Sequence, residues 1–592
     1  MSVKTVKLHR NEGWFQQTLQ GQAFAKQSLR NDAWDIQGGV TLDLPTETIP
    51  ASFYATLRDF GDKTAFTFID RRFSYREYNT LSNRVAHALM ARGIEPGDRV
   101  AINLPNLPQY LIFMLGALKA GCIISGVSPL ASADEIHSQL KDLGASALIS
   151  FDDAYANNVQ ALVPYLPALK LVVVTRPLDL MPGPIRFLAR LLKKLPFPTI
   201  TFVDRREVWF REFCAKQPAA DVQVSRLASD VAAIQYTGGT TGKSKGAMLT
   251  HGNFLSNIRQ SIAVTAPEIG KEVGLSILPF FHIAGLTAAL NTIVIGGAWL
   301  LVPNPRDLNF IVRQLKKYRP SLIFAVPLLY EKLLLRQDFR ALDFSSLKFA
   351  MSGAAPMSDA LKKQLEAVLR VQVLEGYGMT EASPGISLNY PGRVRANTVG
   401  QALPDTEVKI VAIDGEHELG PYEEGQLIVA GPQVMAGYWN NAAETQIALR
   451  MHQGKTWLFT GDAARIDQDG YITIVDRLKD MVNVGGYKVY SVEVEAVIAL
   501  HPAVLSCAIL AEPDKQQSTE LVKLVVQRAT EYSERDEAEL TGDILHHCRE
   551  KLAAYKVPRS IEFIETMPLT PIGKVDKKAL RAYLRSKQSG VK

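Results

Sequence analysis

The stretch that decides how this chain is interpreted reads Tyr236-Thr237-Gly238-Gly239-Thr240-Thr241-Gly242-Lys243-Ser244-Lys245-Gly246. It places four glycines, three threonines, one serine and two lysines in eleven positions. Glycines let backbone N–H groups approach a phosphate closely, and hydroxyl and ammonium groups add further donors. A flexible surface turn would require neither three threonines nor two lysines. The stretch therefore predicts a phosphate-binding loop.

A Walker loop is the nearest alternative, and the spacing excludes it. That loop requires a glycine, four further residues and then Gly-Lys-Ser or Gly-Lys-Thr. Here only three residues separate Gly238 from Gly242. The phosphates are therefore expected to bind without a Walker fold.

The composition outside this loop bounds the class of protein. A chain of 592 residues is too long for one hydrophobic core, so two or more domains are expected. The net charge of +6 is small, and no basic stripe with interleaved aromatic residues suggests nucleic acid. Four scattered cysteines without a CxxC pair argue against a metal cluster or a disulfide scaffold. The N-terminus lacks the apolar core of a secretion signal, so we expect a cytoplasmic location.

Hydrophobic patterning indicates an α/β fold, and the pattern changes to short β-like runs near residue 399. From about residue 73 to 326, helix-like and strand-like runs alternate, which favours largely parallel sheets. Between residues 399 and 476, short β-like runs separated by Gly, Pro and Asp turns predict a small β subdomain. A further small α/β unit follows. The apolar run 286–302 is split by Gly296-Gly297, and we interpret it as a buried helix and strand rather than a membrane span.

Seven further stretches carry chemistry in combination. Taken alone, each also has a purely structural interpretation, as a core histidine, a turn or a solvated loop. They are Leu278–Gly285, Ser352–Pro356, Glu375–Glu381, Trp457–Asp462, Asp476–Asp480, Val484–Val489 and Pro568–Asp576. With the loop at 236–246 and in this order, they make the chain resemble the adenylate-forming superfamily of acyl-CoA synthetases, adenylation domains and luciferases. The resemblance is strongest to bacterial long-chain fatty acyl-CoA synthetases and runs from about Ile49 to Leu584.

The resemblance implies a fold and a division into domains. The expected fold is a large α/β N-terminal domain with a small β subdomain, followed by a small, mobile C-terminal α+β domain. Residues 1–48 would form an N-terminal extension, 49–477 the AMP-binding domain and 478–592 the C-terminal domain.

The resemblance also implies roles for individual residues. ATP and CoA would be substrates, and Mg²⁺ would bind at Glu381, since this ion prefers a carboxylate with phosphate oxygens. Lys479 would be the hinge. The catalytic set is Thr237, Thr240, Thr241, Lys245, His282 and Lys574. The nucleotide-binding set is Gly238, Gly239, Gly353, Ala354, Ala355, Glu375, Gly376, Tyr377, Gly378, Thr380, Asp462, Ile474 and Arg477. The CoA-binding set is Gly485, Gly486 and Tyr487.

The implied reaction activates a carboxylic acid through an acyl adenylate and transfers the acyl group to CoA. Phe280-Phe281 and the apolar surroundings favour a medium-chain or long-chain fatty acid, with an aryl or cinnamate-type acid as the alternative. An acyl-AMP ligase that serves a carrier protein stays open. A degenerate binder and a luciferase-like oxygenase are less favoured, because the lysine, glutamate and aspartate motifs are intact and nothing supports oxygen chemistry.

One segment bears on location. Residues 183–196 contain no acidic side chain, and at helical spacing their apolar side chains share one side and four basic side chains the other. Such a helix either lies on an anionic membrane or packs on its own domain. Packing on its own domain is the alternative that we favour from the sequence.

Overall fold

The computed structural model describes residues 5–6, 41–191, 198–237, 244–353, 355–413, 415, 417–485, 487–514, 519–570 and 574–588. At positions 5–6, 41, 188–191 and 588 only the backbone is described. The chain divides into two compact units. The first comprises Met1–Gly238, Lys243–Glu407 and Ala430–Arg450, and the second Gly239–Gly242, Val408–Val429 and Met451–Lys592.

The strands follow one another along the chain, numbered here in chain order. They are β1 (Thr5–Val6), β2 (Thr41–Leu42), β3 (Thr64–Phe68), β4 (Arg71–Ser74), β5 (Arg99–Asn103), β6 (Ile123–Gly126), β7 (Ala147–Phe151), β8 (Leu171–Thr175), β9 (Glu207–Trp209), β10 (Val231–Thr237), β11 (Lys245–Thr250), β12 (Val273–Ser276), β13 (Ala298–Leu301), β14 (Leu322–Ala325), β15 (Phe349–Ser352), β16 (Val373–Gly378), β17 (Gly385–Leu388), β18 (Gln401–Ala402), β19 (Glu407–Val411), β20 (Gly425–Ala430), β21 (Gly437–Tyr438), β22 (Leu449–His452), β23 (Lys455–Ile466), β24 (Ile472–Arg477), β25 (Val482–Val484), β26 (Tyr487–Val489), β27 (Val504–Pro513), β28 (Glu520–Arg528) and β29 (Ser560–Ile564).

The α-helices are numbered in the same way. They are α1 (Ile49–Phe60), α2 (Tyr75–Ala91), α3 (Pro108–Lys119), α4 (Ala133–Leu143), α5 (Asp152–Ala154), α6 (Gly183–Leu191), α7 (Phe210–Phe213), α8 (His251–Thr265), α9 (Ile283–Val294), α10 (Leu308–Tyr318), α11 (Pro327–Leu334), α12 (Gln337–Arg340), α13 (Asp359–Leu369), α14 (Ala442–Ala448), α15 (Ser491–Ile498), α16 (Glu537–Lys551) and α17 (Lys577–Gln588).

The first unit contains two large mixed sheets. One has eight strands in the order β21-β11-β10-β6-β5-β7-β8-β9, and the other has nine in the order β18-β17-β16-β15-β14-β12-β13-β3-β4. Strands β6, β5, β7, β8 and β9 run parallel to one another, as do β16, β15, β14, β12, β13 and β3. The strands β17 and β4 pair antiparallel with β16 and β3. Parallel strands are covered on both faces, which accounts for continuous apolar runs such as the fully buried β8. The predicted α/β class is confirmed.

The second unit is built from smaller sheets. A five-stranded sheet joins β19, β20, β23 and β22, with β24 paired to β23, as the turn-rich texture predicts. Beyond it, β25 and β26 form a hairpin, and β27, β28 and β29 form a three-stranded sheet. The core of the last part combines Val494 and Ile498 of α15, Val526 of β28 and Ile544 of α16.

Two segments whose composition could suit a membrane adopt different structures. The run 286–302 forms the C-terminal part of α9 and then strand β13, as predicted. Within the described residues, no helix is both long and apolar enough to cross a membrane. The basic segment is helical over α6, and its described apolar side chains Ile185 and Phe187 are 43% and 70% exposed. Residues 192–196 lie outside the described part of the chain.

Candidate active site

The phosphate loop joins two paired strands of the first sheet. Thr237, the last residue of β10, stands opposite Lys245, the first residue of the antiparallel β11. The base of the loop is closed by hydrogen bonds, since Ser244 Oγ donates to the Thr237 carbonyl and Thr237 Oγ1 donates to the Lys245 carbonyl at 3.4 Å. The predicted residues Gly238, Gly239, Thr240 and Thr241 lie outside the described residues. The strands therefore fix the two ends of the loop.

Lys245 is held by two neighbours. Its ammonium forms an ion pair with Glu444 of α14, and Nζ lies 5.3 Å from the centre of the Tyr438 ring. An ammonium over an aromatic face is attracted by the ring quadrupole. Neither Glu444 nor Tyr438 was expected from the sequence, because both lie about 200 residues further along the chain. Only the pairing of β21 with β11 brings them here.

Glu381, the predicted Mg²⁺ ligand, lies in the short 3₁₀ turn Thr380–Ala382 that follows β16. Its side chain is buried, and Oε1 accepts a hydrogen bond of 2.7 Å from the Tyr438 hydroxyl. Its carbonyl accepts from the Met435 N–H at 2.8 Å. No group of three or more His, Cys, Asp or Glu side chains suited to a metal occurs within the described residues. One carboxylate completed by substrate phosphates is the arrangement that Mg²⁺ commonly takes.

The two predicted parts of the adenine pocket lie side by side. Ser352 at the end of β15 stands opposite Glu375 of the parallel β16. A Cβ atom on Gly353 would lie 3.6 Å from the Gly376 carbonyl oxygen. On Gly378 it would lie 2.2 Å from the Pro384 carbonyl oxygen, so only glycine fits that position. Backbone without side chains suits a planar base.

The structure describes four of the five other predicted residues in these two stretches. The Glu375 carboxylate is paired with Lys362 of α13 at 2.7 Å, so that side chain is already held. Tyr377 and Thr380 are half-buried, as is Ala355, while Ala354 lies outside the described residues.

His282 begins helix α9 as its N-cap. Its Nδ1 accepts a hydrogen bond of 3.3 Å from the Ala284 N–H. The turn before it is tight: a Cβ atom on Gly285 would lie 2.1 Å from the Pro279 carbonyl oxygen, and on Gly126 it would lie 2.5 Å from the Phe281 carbonyl oxygen. Both positions therefore require glycine.

Two residues that the sequence did not reveal fix this aromatic turn. Buried Asn106 donates to the Ser276 and Leu278 carbonyls at 2.8 and 2.9 Å and accepts from the Phe280 N–H at 2.8 Å. The Tyr110 hydroxyl donates to the Phe280 carbonyl at 2.8 Å. The only local signal was an asparagine between Pro105 and Pro108, which by itself indicates a turn.

In the second unit, the predicted ribose residues stand opposite each other. Asp462 of β23 faces Arg477 of β24, with 3.5 Å between Oδ1 and Nε. Asp462 is buried, and its N–H donates to Thr460 Oγ1 at 3.1 Å. Ile474, also predicted, stands opposite Ala464 in the same strand pair.

Lys574 belongs to the electrostatic environment of these residues. Its N–H donates to Thr570 Oγ1 at 3.1 Å, and the Thr570 N–H donates to its carbonyl at 2.7 Å, so a turn fixes its backbone. Burial, reinforced by the positive charges of Arg477 and Lys479, lowers the pKa of Lys574 to about 8, while Asp462 opposes the shift. The structure thus brings Lys574, Asp462 and Arg477 together.

The predicted hinge lies between two anchored neighbours. Lys479 is exposed. On one side, the Asp476 carboxylate accepts from the N–H and the hydroxyl of Ser491 in α15. On the other, Asp480 pairs with Arg581 of α17 at 2.8 Å.

The predicted CoA loop is the turn of the β25–β26 hairpin. Gly485 has a φ of +58°, and its N–H donates to Thr519 Oγ1 at 2.6 Å. Tyr487 is 62% exposed and stacks on Tyr555 with 4.9 Å between ring centres. Gly486 lies outside the described residues.

Two family models match the sequence. The model of AMP-binding enzymes matches residues 53–439, and that of the AMP-binding enzyme C-terminal domain matches residues 493–574. The first match contains the phosphate loop and the stretches up to Glu381, and the second reaches Lys574. The stretches Trp457–Asp462, Asp476–Asp480 and Val484–Val489 lie between the two matches.

Individual proteins are similar over nearly the whole chain. A long-chain-fatty-acid–CoA ligase of Yersinia pestis is 36% identical over 558 residues, which cover 91% of this chain and 96% of that protein. The anthranilate CoA ligase AuaEII, solved in complex with anthranoyl-AMP, has a TM-score of 0.79 at 25% identity, covering 92% of this chain and 99% of that one. ATP-bound MatB from Rhodopseudomonas palustris has a TM-score of 0.77 at 27% identity, covering 91% and 99%.

Proposed function

The chain belongs to the family of AMP-binding enzymes, and from that premise we propose that it is an AMP-forming fatty acid–CoA ligase. It joins a medium-chain or long-chain fatty acid to CoA through an acyl adenylate and releases AMP and pyrophosphate. The similarity to a bacterial long-chain-fatty-acid–CoA ligase over nine-tenths of the chain supports the acid and the acceptor. The apolar residues Phe280 and Phe281 agree with a hydrocarbon substrate.

The observation that carries the adenylation chemistry is the surroundings of Lys574. A half-buried ammonium beside the Asp462–Arg477 pair lies where a ribose and an adjoining phosphate can be bound together. Asp462 can accept from ribose hydroxyls, and charge-assisted hydrogen bonds of this kind contribute roughly 1.5–3 kcal/mol each. Lys574 then offsets the negative charge that develops on the α-phosphate in the transition state.

In the first half-reaction, an oxygen of the fatty carboxylate attacks the α-phosphorus of ATP. A P–O bond forms, the bond to the β-phosphate breaks, and pyrophosphate leaves. We assign phosphate binding to Thr237, Thr240, Thr241 and Lys245, and contact with the acid to His282. Gly238 and Gly239 permit close approach of the loop backbone. Because all bonds are exchanged within the bound substrates, the protein acts mainly by positioning and electrostatics.

The adenosine moiety would be held by the two glycine-rich strand ends. Tyr377 offers its ring to adenine, and Thr380 offers its hydroxyl to the phosphate. Gly353, Ala354, Ala355, Gly376 and Gly378 supply backbone, and Ile474 supplies an apolar contact. The Glu375 side chain has a structural part through Lys362, which leaves its backbone for the nucleotide.

The Glu381 carboxylate is chemically suited to bind magnesium. A buried carboxylate with one oxygen fixed by Tyr438 offers a hard oxygen ligand of set orientation, and the ATP phosphates supply the others. The ion neutralises phosphate charge when it is bound. Glu381 would hold the ion, and Lys245 would bind phosphate oxygens.

In the second half-reaction, the CoA thiol attacks the acyl carbonyl. The C–S bond forms, the bond to the AMP oxygen breaks, and the thiol proton passes to solvent. We propose that residues 478–592 act as a C-terminal domain that turns about Lys479 between the two half-reactions. Gly485, Gly486 and Tyr487 then contact the pantetheine arm, since glycines there admit a thin chain. We assign residues 1–48 as an N-terminal extension.

For location we propose the cytoplasm, with contact to an anionic membrane through residues 183–196. Free cysteines among the described residues agree with a reducing compartment. The exposure of Ile185 and Phe187 beside Arg186 supports the membrane contact. Co-sedimentation with anionic vesicles should weaken when Arg186, Arg190, Lys193 and Lys194 are replaced by Gln, and binding that ignores this change would contradict the proposal.

The test of the function is pyrophosphate release from ATP with fatty, aryl and amino acids, each with and without CoA. We expect turnover with fatty acids and acyl-CoA as the product. The similarity to an anthranilate ligase makes an aryl acid the second candidate, and turnover confined to aryl acids would favour it. A fatty adenylate that accumulates and does not react with CoA would instead indicate transfer to a carrier protein.

A further inference from the structure

Four side chains of the first unit form a connected series that we call the Tyr438 bracket: Glu444, Lys245, Tyr438 and Glu381. Glu444 pairs with the Lys245 ammonium, that ammonium lies over the Tyr438 ring, and the Tyr438 hydroxyl donates to Glu381 Oε1 at 2.7 Å. A single aromatic side chain thus contacts both the last lysine of the phosphate loop and the carboxylate of the turn after β16.

Backbone pairing holds Tyr438 of β21 against β11, the strand that carries Lys245. Tyr438 stands opposite Ala247 in the β21–β11 pair, and the next residue, Trp439, donates its N–H to the Gly246 carbonyl at 2.7 Å. The Tyr438 N–H donates to Thr445 Oγ1 at 2.9 Å, which ties the residue to helix α14. The position of the hydroxyl is therefore set by three elements.

The same segment also holds the backbone of the Glu381 turn. Met435, three residues before Tyr438, donates its N–H to the Glu381 carbonyl at 2.8 Å. Both ends of Glu381 are thus anchored to residues 435–438, its carbonyl by a backbone hydrogen bond and its carboxylate by a side chain. Tyr438 and Glu381 are 8% and 7% exposed, so water competes little for this hydrogen bond.

We propose that Tyr438 is a positioning residue that orients the Glu381 carboxylate toward the magnesium of Mg·ATP. It also fixes the position of this carboxylate relative to the Lys245 ammonium. The inference rests on the proposed function, in which Glu381 is the metal ligand. A carboxylate turns freely about its last bond unless one oxygen is held. The hydroxyl holds Oε1, which leaves Oε2 for the metal. Outer hydrogen-bond partners of metal ligands typically change metal affinity by about 10-fold to 100-fold.

The test measures metal binding without turnover. Mn²⁺ is titrated into the protein with a non-hydrolysable α,β-methylene analogue of ATP, and free Mn²⁺ is read by electron paramagnetic resonance. Tyr438→Phe keeps the ring over Lys245 and removes only the hydroxyl. We expect its Mn²⁺ affinity to fall about tenfold. Binding equal to that of the unmodified protein would overturn the proposal.

A matched control removes a hydroxyl elsewhere in the same unit. Tyr78 is fully buried, and its hydroxyl donates to the Leu111 carbonyl at 2.8 Å. Tyr78→Phe should leave Mn²⁺ affinity unchanged. An equal loss in both variants would mean that the effect is general loosening, and the positioning role would be rejected.

A double-mutant cycle separates this inference from the proposed function. Glu381→Gln should weaken Mn²⁺ binding, and adding Tyr438→Phe to it should cost nothing more, since the hydroxyl acts through Glu381. Unchanged binding in Glu381→Gln would remove the metal role of Glu381 itself. A loss in Glu381→Gln with none in Tyr438→Phe would remove only the role of Tyr438.

Circular dichroism shows whether the phenylalanine variant folds. Should it not fold, Tyr438→His takes its place, because the imidazole keeps a ring N–H that can donate to Glu381. An Mn²⁺ affinity within about threefold of that of the unmodified protein then supports a role that depends on a hydrogen-bond donor. Such a loss is smaller than the roughly tenfold loss that is typical when an outer hydrogen-bond partner of a metal ligand is removed. A folded histidine variant with a larger loss would count against it.

Discussion

The polar side chains of the candidate site are held differently in the two units. In the first unit, the side chains of Lys245, Glu375 and Glu381 are each held by a partner from another strand or helix: Glu444, Lys362 and Tyr438. In the second unit, the Arg477 side chain is 47% exposed and Tyr487 is 62% exposed, and Lys574 and Gly485 lie on tight turns. The first arrangement suits groups that hold one ligand throughout. The second suits groups that act in only one half-reaction.

The contrast implies that changes in the first unit affect stability and activity together, whereas changes in the second affect activity alone. Rigid elements position functional groups more accurately than turns do. Four substitutions or conditions probe the difference, from the largest expected effect to the smallest.

Lys362→Met should have the largest effect, and it should be on stability. The change leaves the Glu375 carboxylate, whose side chain is 14% exposed, without its ion-pair partner. Removing one member of a buried pair costs about 3 kcal/mol or more. We expect the urea midpoint of the first unfolding transition to fall accordingly. Lys317→Met, which breaks the exposed pair with Asp70, is the control and should leave the midpoint in place.

Lys574→Ala should slow adenylate formation by about two orders of magnitude or more, the scale for a preorganised transition-state donor. Reaction of a pre-made acyl adenylate with CoA should be largely spared, and the unfolding midpoint should not move. The two half-reactions are measured separately by pyrophosphate release and by acyl-CoA formation. Lys578→Ala, on the exposed side of the following helix, serves as the control. Equal loss in both half-reactions would contradict the assignment of Lys574 to one of them.

Asp462→Asn should raise the KM for ATP about tenfold, because it removes the charge from a hydrogen bond to ribose. Steady-state kinetics at saturating fatty acid and CoA measures this change. Asp469→Asn, in the exposed turn between β23 and β24, is the matched control and should behave as the unmodified protein. A KM that stays constant in the Asp462 variant would remove ribose binding from its role.

The smallest effect is a pH dependence. Lys574 offsets charge only when protonated, so adenylation should decline as the pH rises through the lowered pKa of about 8. The profile of kcat/KM for ATP reports the free enzyme, where this pKa applies. Lys574→Arg should abolish the decline, since a guanidinium stays charged. Asp462→Asn should move the decline to lower pH, because Asp462 raises the pKa of Lys574. If the Lys574→Arg variant shows the same decline as the unmodified protein, the decline belongs to another group.

Local patterns predicted the fold class because they depend on short stretches of chain. Strand β5 (Arg99–Asn103) and the helix–strand division of residues 286–302 follow from apolar runs and from Gly296-Gly297. The pairing of strands does not follow, because periodicity does not reveal partners. Thus β3 lies beside β13, more than 200 residues later, and β21 lies beside β11.

The site divides in the same way. The motifs named Glu381, Lys574 and Asp462 because their spacing matches a family. Asn106, Tyr110 and Tyr438 escaped notice because each acts through hydrogen bonds to residues far away in the sequence. Their own neighbours in sequence carry no sign of it.

The two glycines around the aromatic turn limit how the proposed acid-binding region can be redesigned. Any side chain at position 126 would meet the Phe281 carbonyl, and any at position 285 would meet that of Pro279. A library built to alter substrate range should therefore yield no active clones with residues other than glycine at either position. Diversity can enter at the Phe281 side chain, which is only half-buried. Substrate preference would then change at one aromatic position whose backbone is confined by two glycines.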